Sequence, residues 1–312
     1  MLRPPLPFWL LAAPILFGSS IAVGQTSQLD RSQILRIEPG AQIGAPTSAN
    51  EALGYAAPSE NDADLGVQAI LKRQEQYRPF TFTLSTPFFY TTNVALTRNG
   101  EVGDGVFAPA LTLAYQPRIA KTLYGEVIVV QQLFYYDRFT DFNFTSFDAI
   151  AGVVWYLPQY HNLALRLRYD FNRLTDDQFD EFFQNHSIIA IAEMPFQFGQ
   201  AMQLNLGALA NISVSSDPQF PRRNDFEVYA GYAVQLSRSF SVDAVGRFIV
   251  KDYYKGDRTD INEILALTAN YRPRAWLTVS AIATFSWNQS NQSIFDYYVA
   301  DLGGGVAVTC KF

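Results

Sequence analysis

Residues 163–171 read Leu163-Ala164-Leu165-Arg166-Leu167-Arg168-Tyr169-Asp170-Phe171. Side chains alternate between two faces along an extended chain. Leu163, Leu165, Leu167, Tyr169 and Phe171 therefore share one face, and Arg166, Arg168 and Asp170 the other. The pattern recurs in both directions from this stretch. Phe226, Val228, Ala230, Tyr232 and Val234 oppose Glu227, Tyr229 and Gln235, and Phe240, Val242, Ala244, Phe248 and Val250 oppose Asp243, Arg247 and Lys251. Met202, Leu204, Leu206, Ala208, Ala210 and Ile212 stand against Gln203, Asn205, Asn211 and Ser213.

From Pro79 to the C-terminus this period of two predicts about twelve strands. They lie near 80–96, 105–116, 121–136, 147–157, 161–173, 186–197, 201–214, 224–236, 239–253, 260–271, 275–287 and 297–312. Ordinary strands average about five or six residues. These are long enough to cross a bilayer at a tilt, which takes roughly 9–11. Every second connection is tight, as at Gln116-Pro117-Arg118, Pro158-Gln159 and Ser237-Arg238. Those between are longer and polar, as at Asp137–Ser146, Leu174–Asn185 and Asn288–Asp296. Alternating short turns and long loops is how outer-membrane barrels are connected. The expected fold is an all-β, closed, antiparallel transmembrane barrel with short periplasmic turns and longer extracellular loops. A secreted β-sandwich also alternates its faces, but it would not call for such long strands or so regular a sequence of connections.

The composition agrees. Of 312 residues, 48% are hydrophobic, 15% aromatic and only 17% charged, against roughly 25% charged in ordinary soluble domains. A net charge of −6 argues against a protein that tracks nucleic-acid phosphates. One cysteine, Cys310, excludes an internal disulfide and a cysteine-rich zinc site. No phosphate-cradling glycine loop precedes a helix, and the sequence calls for neither a cofactor nor a metal.

Arg3, the apolar run Phe8–Phe17 and the small residues up to Gly24 have the layout of a secretory signal peptide, residues 1–24. Residues 25–78 form an N-terminal extension expected in the periplasm. From Gln25 to Glu60 it is rich in Gly, Ala, Pro and Ser and reads as linker. A short helix is possible over 62–76, either as a tether or as a plug in the barrel mouth. The barrel then occupies 79–312.

In the last strand, Tyr298, Leu302, Val306, Val308, Cys310 and the terminal Phe312 alternate with Asp301, Gly303, Gly305, Ala307, Thr309 and Lys311. A final strand of this kind ending in Phe resembles that of bacterial outer-membrane β-barrel proteins of porin-like type. The resemblance implies a place in the outer membrane of a Gram-negative bacterium, among its lipids. It also implies recognition of the terminal strand, here Val306, Val308 and Phe312, by the barrel-assembly machinery. This chain has Cys310 where that family commonly has an aromatic residue.

With the apolar face on lipid, the other face lines the lumen. The expected pore-lining residues are Glu126, Arg166, Arg168, Asp170, Glu193, Asp225, Glu227, Asp243, Arg247, Lys251 and Asp301. Arg166 with Arg168, and Arg247 with Lys251, could guide an anionic solute, or they could pair with the nearly equal number of acids and fill the barrel. The expected function is a passive channel for small hydrophilic solutes. The alternatives are a non-transporting structural or surface-binding barrel, a translocator domain, and an outer-membrane enzyme. Barrel phospholipases set a His and a Ser two residues apart, whereas His186 is followed at once by Ser187, on the opposite face. The loop carrying Asp176, Asp177, Asp180 and Glu181 could hold Ca²⁺ or be a solvated acidic turn. Trp155, Tyr156, Phe171, Tyr271, Trp276, Phe285 and Trp287 fall near strand ends, where interfacial girdles belong.

Overall fold

A computed structural model describes residues 27–35, 78–199 and 201–312. The expected signal peptide and the candidate helix at 62–76 lie outside the described residues.

The strands are β1 (Phe80–Thr91), β2 (Asp104–Phe107), β3 (Ala110–Tyr115), β4 (Leu123–Tyr136), β5 (Phe144–Leu157), β6 (Leu163–Asp176), β7 (Glu181–Phe198), β8 (Met202–Asp217), β9 (Arg223–Ser237), β10 (Phe240–Tyr253), β11 (Thr259–Arg274), β12 (Leu277–Ser290) and β13 (Tyr297–Lys311). Each pairs antiparallel with its neighbours, and β13 returns to pair with β1 from Thr81↔Lys311 to Thr91↔Asp301. Both β2 and β3 lie between β1 and β4, so they are two halves of one stave and the closed barrel has twelve. Closure leaves no sheet edge, as a lipid environment requires.

The break at Ala108-Pro109 has a local cause. Pro109 has no N–H to give the ladder, and neither has Pro87 on the adjacent β1. The stave is rejoined by Ala108 N–H donating to the Pro87 carbonyl at 2.9 Å and Leu133 N–H donating to the Pro109 carbonyl at 2.9 Å. The seam ends on the last residue, where Phe80 and Phe312 exchange two backbone hydrogen bonds of 3.0 Å.

One face of each stave is apolar and exposed, including Leu84, Val127, Leu167, Val228, Leu267 and Leu302. Aromatic side chains gather near both ends of this outer face. Phe80 stacks on Tyr115 at the short-turn end, and Trp287 lies 5.8 Å from Tyr298 at the long-loop end. Tyr156 departs from the girdle expected of it: it alternates in phase with buried Ile150 and Val154 and so faces inward.

Long connections join the staves at one end, yet the strands run further into them than the alternation suggests. The β6–β7 ladder continues through Leu174↔Phe183 and Thr175↔Glu181. Leu174 and Phe183 are buried there, in an apolar cluster that also holds Phe89, Val106, Phe134 and Phe144. This cluster lines one wall of the lumen near the long-loop end.

Residues 27–34 form a helix, α1, that lies inside the barrel. It falls within the stretch that composition reads as linker. The difference is physical: α1 buries Asp30, Arg31 and Ile34 together, so it shows no plain apolar stripe for a periodicity reading to find.

Candidate functional site

The lumen is built by residues that alternate with the outer apolar set, and it has two tiers. In the tier nearer the short turns, Arg168 on β6 donates to Glu126 on β4 from Nε at 2.6 Å and from Nη2 at 3.1 Å. Both side chains are about 1% exposed. The two strands are separated by β5, and the residue in register between the pair is Gly152. A Cβ there would overlap the Leu167 carbonyl and lie 2.9 Å from the Arg168 Cα and Cγ. Gln116 donates to Glu126 Oε1 at 3.1 Å, the oxygen that also accepts from Arg168 Nη2.

A second bridge of the same design stands beside it. Tyr229 on β9 passes over Gly207 on β8 and donates from its hydroxyl to Glu193 on β7 at 2.6 Å. Arg166 lies 4.0 Å from Glu193. On the adjoining strands, Arg247 on β10 binds Glu227 on β9 through two nitrogens, at 2.7 and 2.8 Å, and Asn270 on β11 donates to Asp243 on β10 at 2.8 Å.

The tier nearer the long loops is built around α1. Asp30 Oδ1 accepts from Arg223 Nη1 at 2.7 Å and from Lys251 Nζ at 2.8 Å. Arg31 donates to Asp301 at 2.8 Å and to the Asn93 carbonyl at 2.6 Å. Gln33 donates to Asp225 at 2.6 Å, accepts from Arg223, and lends its carbonyl to Arg247 at 3.3 Å. Arg258 is packed between the Tyr253 and Phe295 rings, 4.1 and 3.5 Å from their centroids, and its Nε donates to Asp260 at 2.9 Å. Ile34 sits among Leu96, Ile249, Ile264, Tyr297 and Val299, while Leu29 and Leu35 pack on the cluster around Phe89 and Phe134.

Burial alone would raise the pKa of the Asp30 carboxyl. The opposing charges of Lys251, Arg223 and Arg258 outweigh it and hold the group well below the usual carboxylate range.

Each residue expected to line the pore has a definite place. Glu126, Arg166, Arg168, Asp170, Glu193, Asp225, Glu227, Lys251 and Asp301 are buried on the inner side, and Arg247 and Asp243 are half-buried there. The basic pairs do not form a continuous track. Arg168 is matched to Glu126, Arg247 to Glu227, and Lys251 to Asp30. The sequence reading missed Arg223, Arg258 and Asp260. All three stand at or beyond strand ends, where alternation fades. Val306, Val308 and Phe312 lie on the outer side of the seam, in phase with exposed Leu302.

The acidic turn after β6 is tied up internally. The Asp176 carboxylate accepts the N–H groups of Gln178 and Asp180, both at 2.9 Å, and Arg173 pairs with Glu181 at 2.7 Å. Among the described residues, no three His, Cys, Asp or Glu side chains converge as a metal site would need. His186 faces outward, its Nδ1 2.5 Å from the Tyr169 hydroxyl, and Ser187 is buried on the other face.

No family model and no curated protein sequence matches the chain. Solved structures do. An outer membrane channel from Pseudomonas putida F1 superposes with a TM-score of 0.52 at 10% identity, over 75% of this chain and 97% of that one. The NanC porin gives 0.44 at 7% identity, over 72% and 98%. LpxR from Salmonella typhimurium gives 0.40 at 8% identity, over 72% and 99%. The fold is that of an outer-membrane β-barrel channel.

Proposed function

We propose that the chain is a passive channel for small hydrophilic solutes in the outer membrane, with its lumen held shut at the long-loop end by α1. The observation that carries this reading is the number of charged side chains on the inner face, from Glu126 and Arg168 to Asp301 and Arg223, interspersed with apolar clusters. A barrel whose only task was structural would have no need of so many buried charges, each costly to desolvate. No residue is assigned a catalytic role, because His186 and Ser187 diverge across the sheet. The short turns would face the periplasm, together with the rest of the N-terminal extension, and the terminal strand would present Val306, Val308 and Phe312 to the assembly machinery.

The test is swelling of proteoliposomes in small neutral sugars. Swelling by a variant lacking residues 25–35, faster than by the full mature chain, supports the reading. The absence of swelling in both, with the barrel folded, overturns it. The second reading is a closed structural barrel. It is favoured by one observation, the side-chain bridges over Gly152 and Gly207 in the tier nearer the short turns.

A further inference from the structure

Asp30 and Ile34 stand one helical turn apart, so they share a face of α1 with Cβ atoms about 5–6 Å apart. On this face the helix offers the barrel a carboxylate and, beside it, a branched apolar group. The carboxylate enters a nest of cations on the wall, Arg223 and Lys251, which are 3% and 1% exposed. Arg258 stands behind them, and its Nη1 is buried with no hydrogen-bond partner among the described residues. The apolar group enters a pocket of Ile249, Ile264, Tyr297 and Val299. Ile249 precedes Lys251 by two residues on the same strand and face, so nest and pocket are contiguous.

These wall residues belong to β9, β10, β11, β13 and the β10–β11 loop, and none depends on α1 for its backbone position. With α1 withdrawn, the wall keeps cations that have lost a carboxylate and an apolar pocket that has lost a branched side chain. Asp225 and Asp260 stay to neutralise Arg223 and Arg258 in part. Lys251 loses the carboxylate it binds at 2.8 Å.

We propose that Lys251 and Arg223, with the Ile249–Ile264–Tyr297–Val299 pocket, form a binding site for a small organic carboxylate with an apolar body. Asp30 and Ile34 occupy this site as an internal competitor. The inference deepens the channel reading by naming a solute class, and it rests on that reading for its physiological sense. The binding itself does not require conduction.

The test is calorimetric titration of the refolded mature chain in detergent micelles with benzoate, benzyl alcohol and benzylamine. Benzoate is expected to bind Asp30→Asn at least about tenfold more tightly than the unaltered chain, since a docked competitor lowers apparent affinity by the fraction of time the site is free. A variant lacking residues 25–35 should show the same gain and covers the case in which Asp30→Asn does not refold. Adding Lys251→Met to either variant should abolish the gain, and benzyl alcohol should bind much more weakly than benzoate. Equal benzoate affinity with and without α1, equal binding of the alcohol, preference for the amine, or retention of the gain in Lys251→Met would each overturn the proposal. A chain that binds benzoate in micelles yet passes no solute keeps this inference and loses the channel.

Discussion

Arg168 and Glu126 stand on strands that are not neighbours, yet they form a bidentate ion pair at 2.6 and 3.1 Å. The residue between them in register is Gly152, and the missing side chain there is the passage through which the pair meets. Tyr229 and Glu193 repeat the device over Gly207. Such bridges tie three staves together from the inside.

Gly152→Val should therefore cost far more than its place in a strand suggests. The new side chain would strike the Leu167 carbonyl and crowd the Arg168 Cα and Cγ at 2.9 Å. Breaking a buried ion pair costs about 3–5 kcal/mol. Urea unfolding, followed by the loss of the folded band on unheated gels, should show a loss of that size. Gly246 faces outward with nothing within 4 Å of an added Cβ, so Gly246→Ala should stay within about 0.5 kcal/mol. Equal effects at the two positions would refute the bridge.

Tyr229→Phe removes one hydrogen bond to a buried carboxylate and leaves the ring over Gly207. The expected loss is about 1–3 kcal/mol. Tyr229→Ala uncovers Gly207 as well and should be clearly worse in the same unfolding assay. If the two variants unfold alike, the ring contributes nothing beyond its hydroxyl.

Acid should loosen α1. The Asp30 carboxyl is held below its ordinary value of about 3.9 by Lys251, Arg223 and Arg258. Its contribution to docking is therefore complete above that ordinary value and is lost as the pH falls through the lower docked value. A nitroxide on Ser32→Cys, in a Cys310→Ser background, should give an immobilised spectrum at neutral pH and a growing mobile component below about pH 4. In Asp30→Asn the spectrum should be mobile at neutral pH and insensitive to acid. An immobilised spectrum in Asp30→Asn would show that the cation nest does not hold the helix.

Phe312 holds the seam through its backbone, which Ala would keep, while its ring is exposed on the outer face. Phe312→Ala should leave the refolded barrel within about 1 kcal/mol of the unaltered chain. In cells it should lower the amount assembled in the outer membrane if the ring is part of an assembly signal. Undiminished assembly would remove Phe312 from that role.

The staves were legible because each must be apolar on one face and polar on the other, and Leu163–Asp176 shows this over almost its whole length. The break in the second stave is signalled only by Pro87 and Pro109, and neither proline says that the halves stay on one path. The inward residues followed from the same alternation. Their partners did not, because a bridge across a glycine depends on register between strands far apart in sequence. Nor did α1, since a helix that docks into a charged lumen buries Asp30 and Arg31 and breaks the rule by which buried faces are found. Asp30 and Ile34, one turn apart, are visible in the sequence, but only the wall gives them meaning.

The most direct measurement is single-channel conductance in a planar bilayer of the chain from Gln25 onward beside a variant lacking residues 25–35. A channel closed by its own segment predicts small or rare steps from the full chain and larger, steady steps from the variant. Silence from both, with each barrel folded and heat-modifiable on gels, or identical conductance from the two, would contradict it.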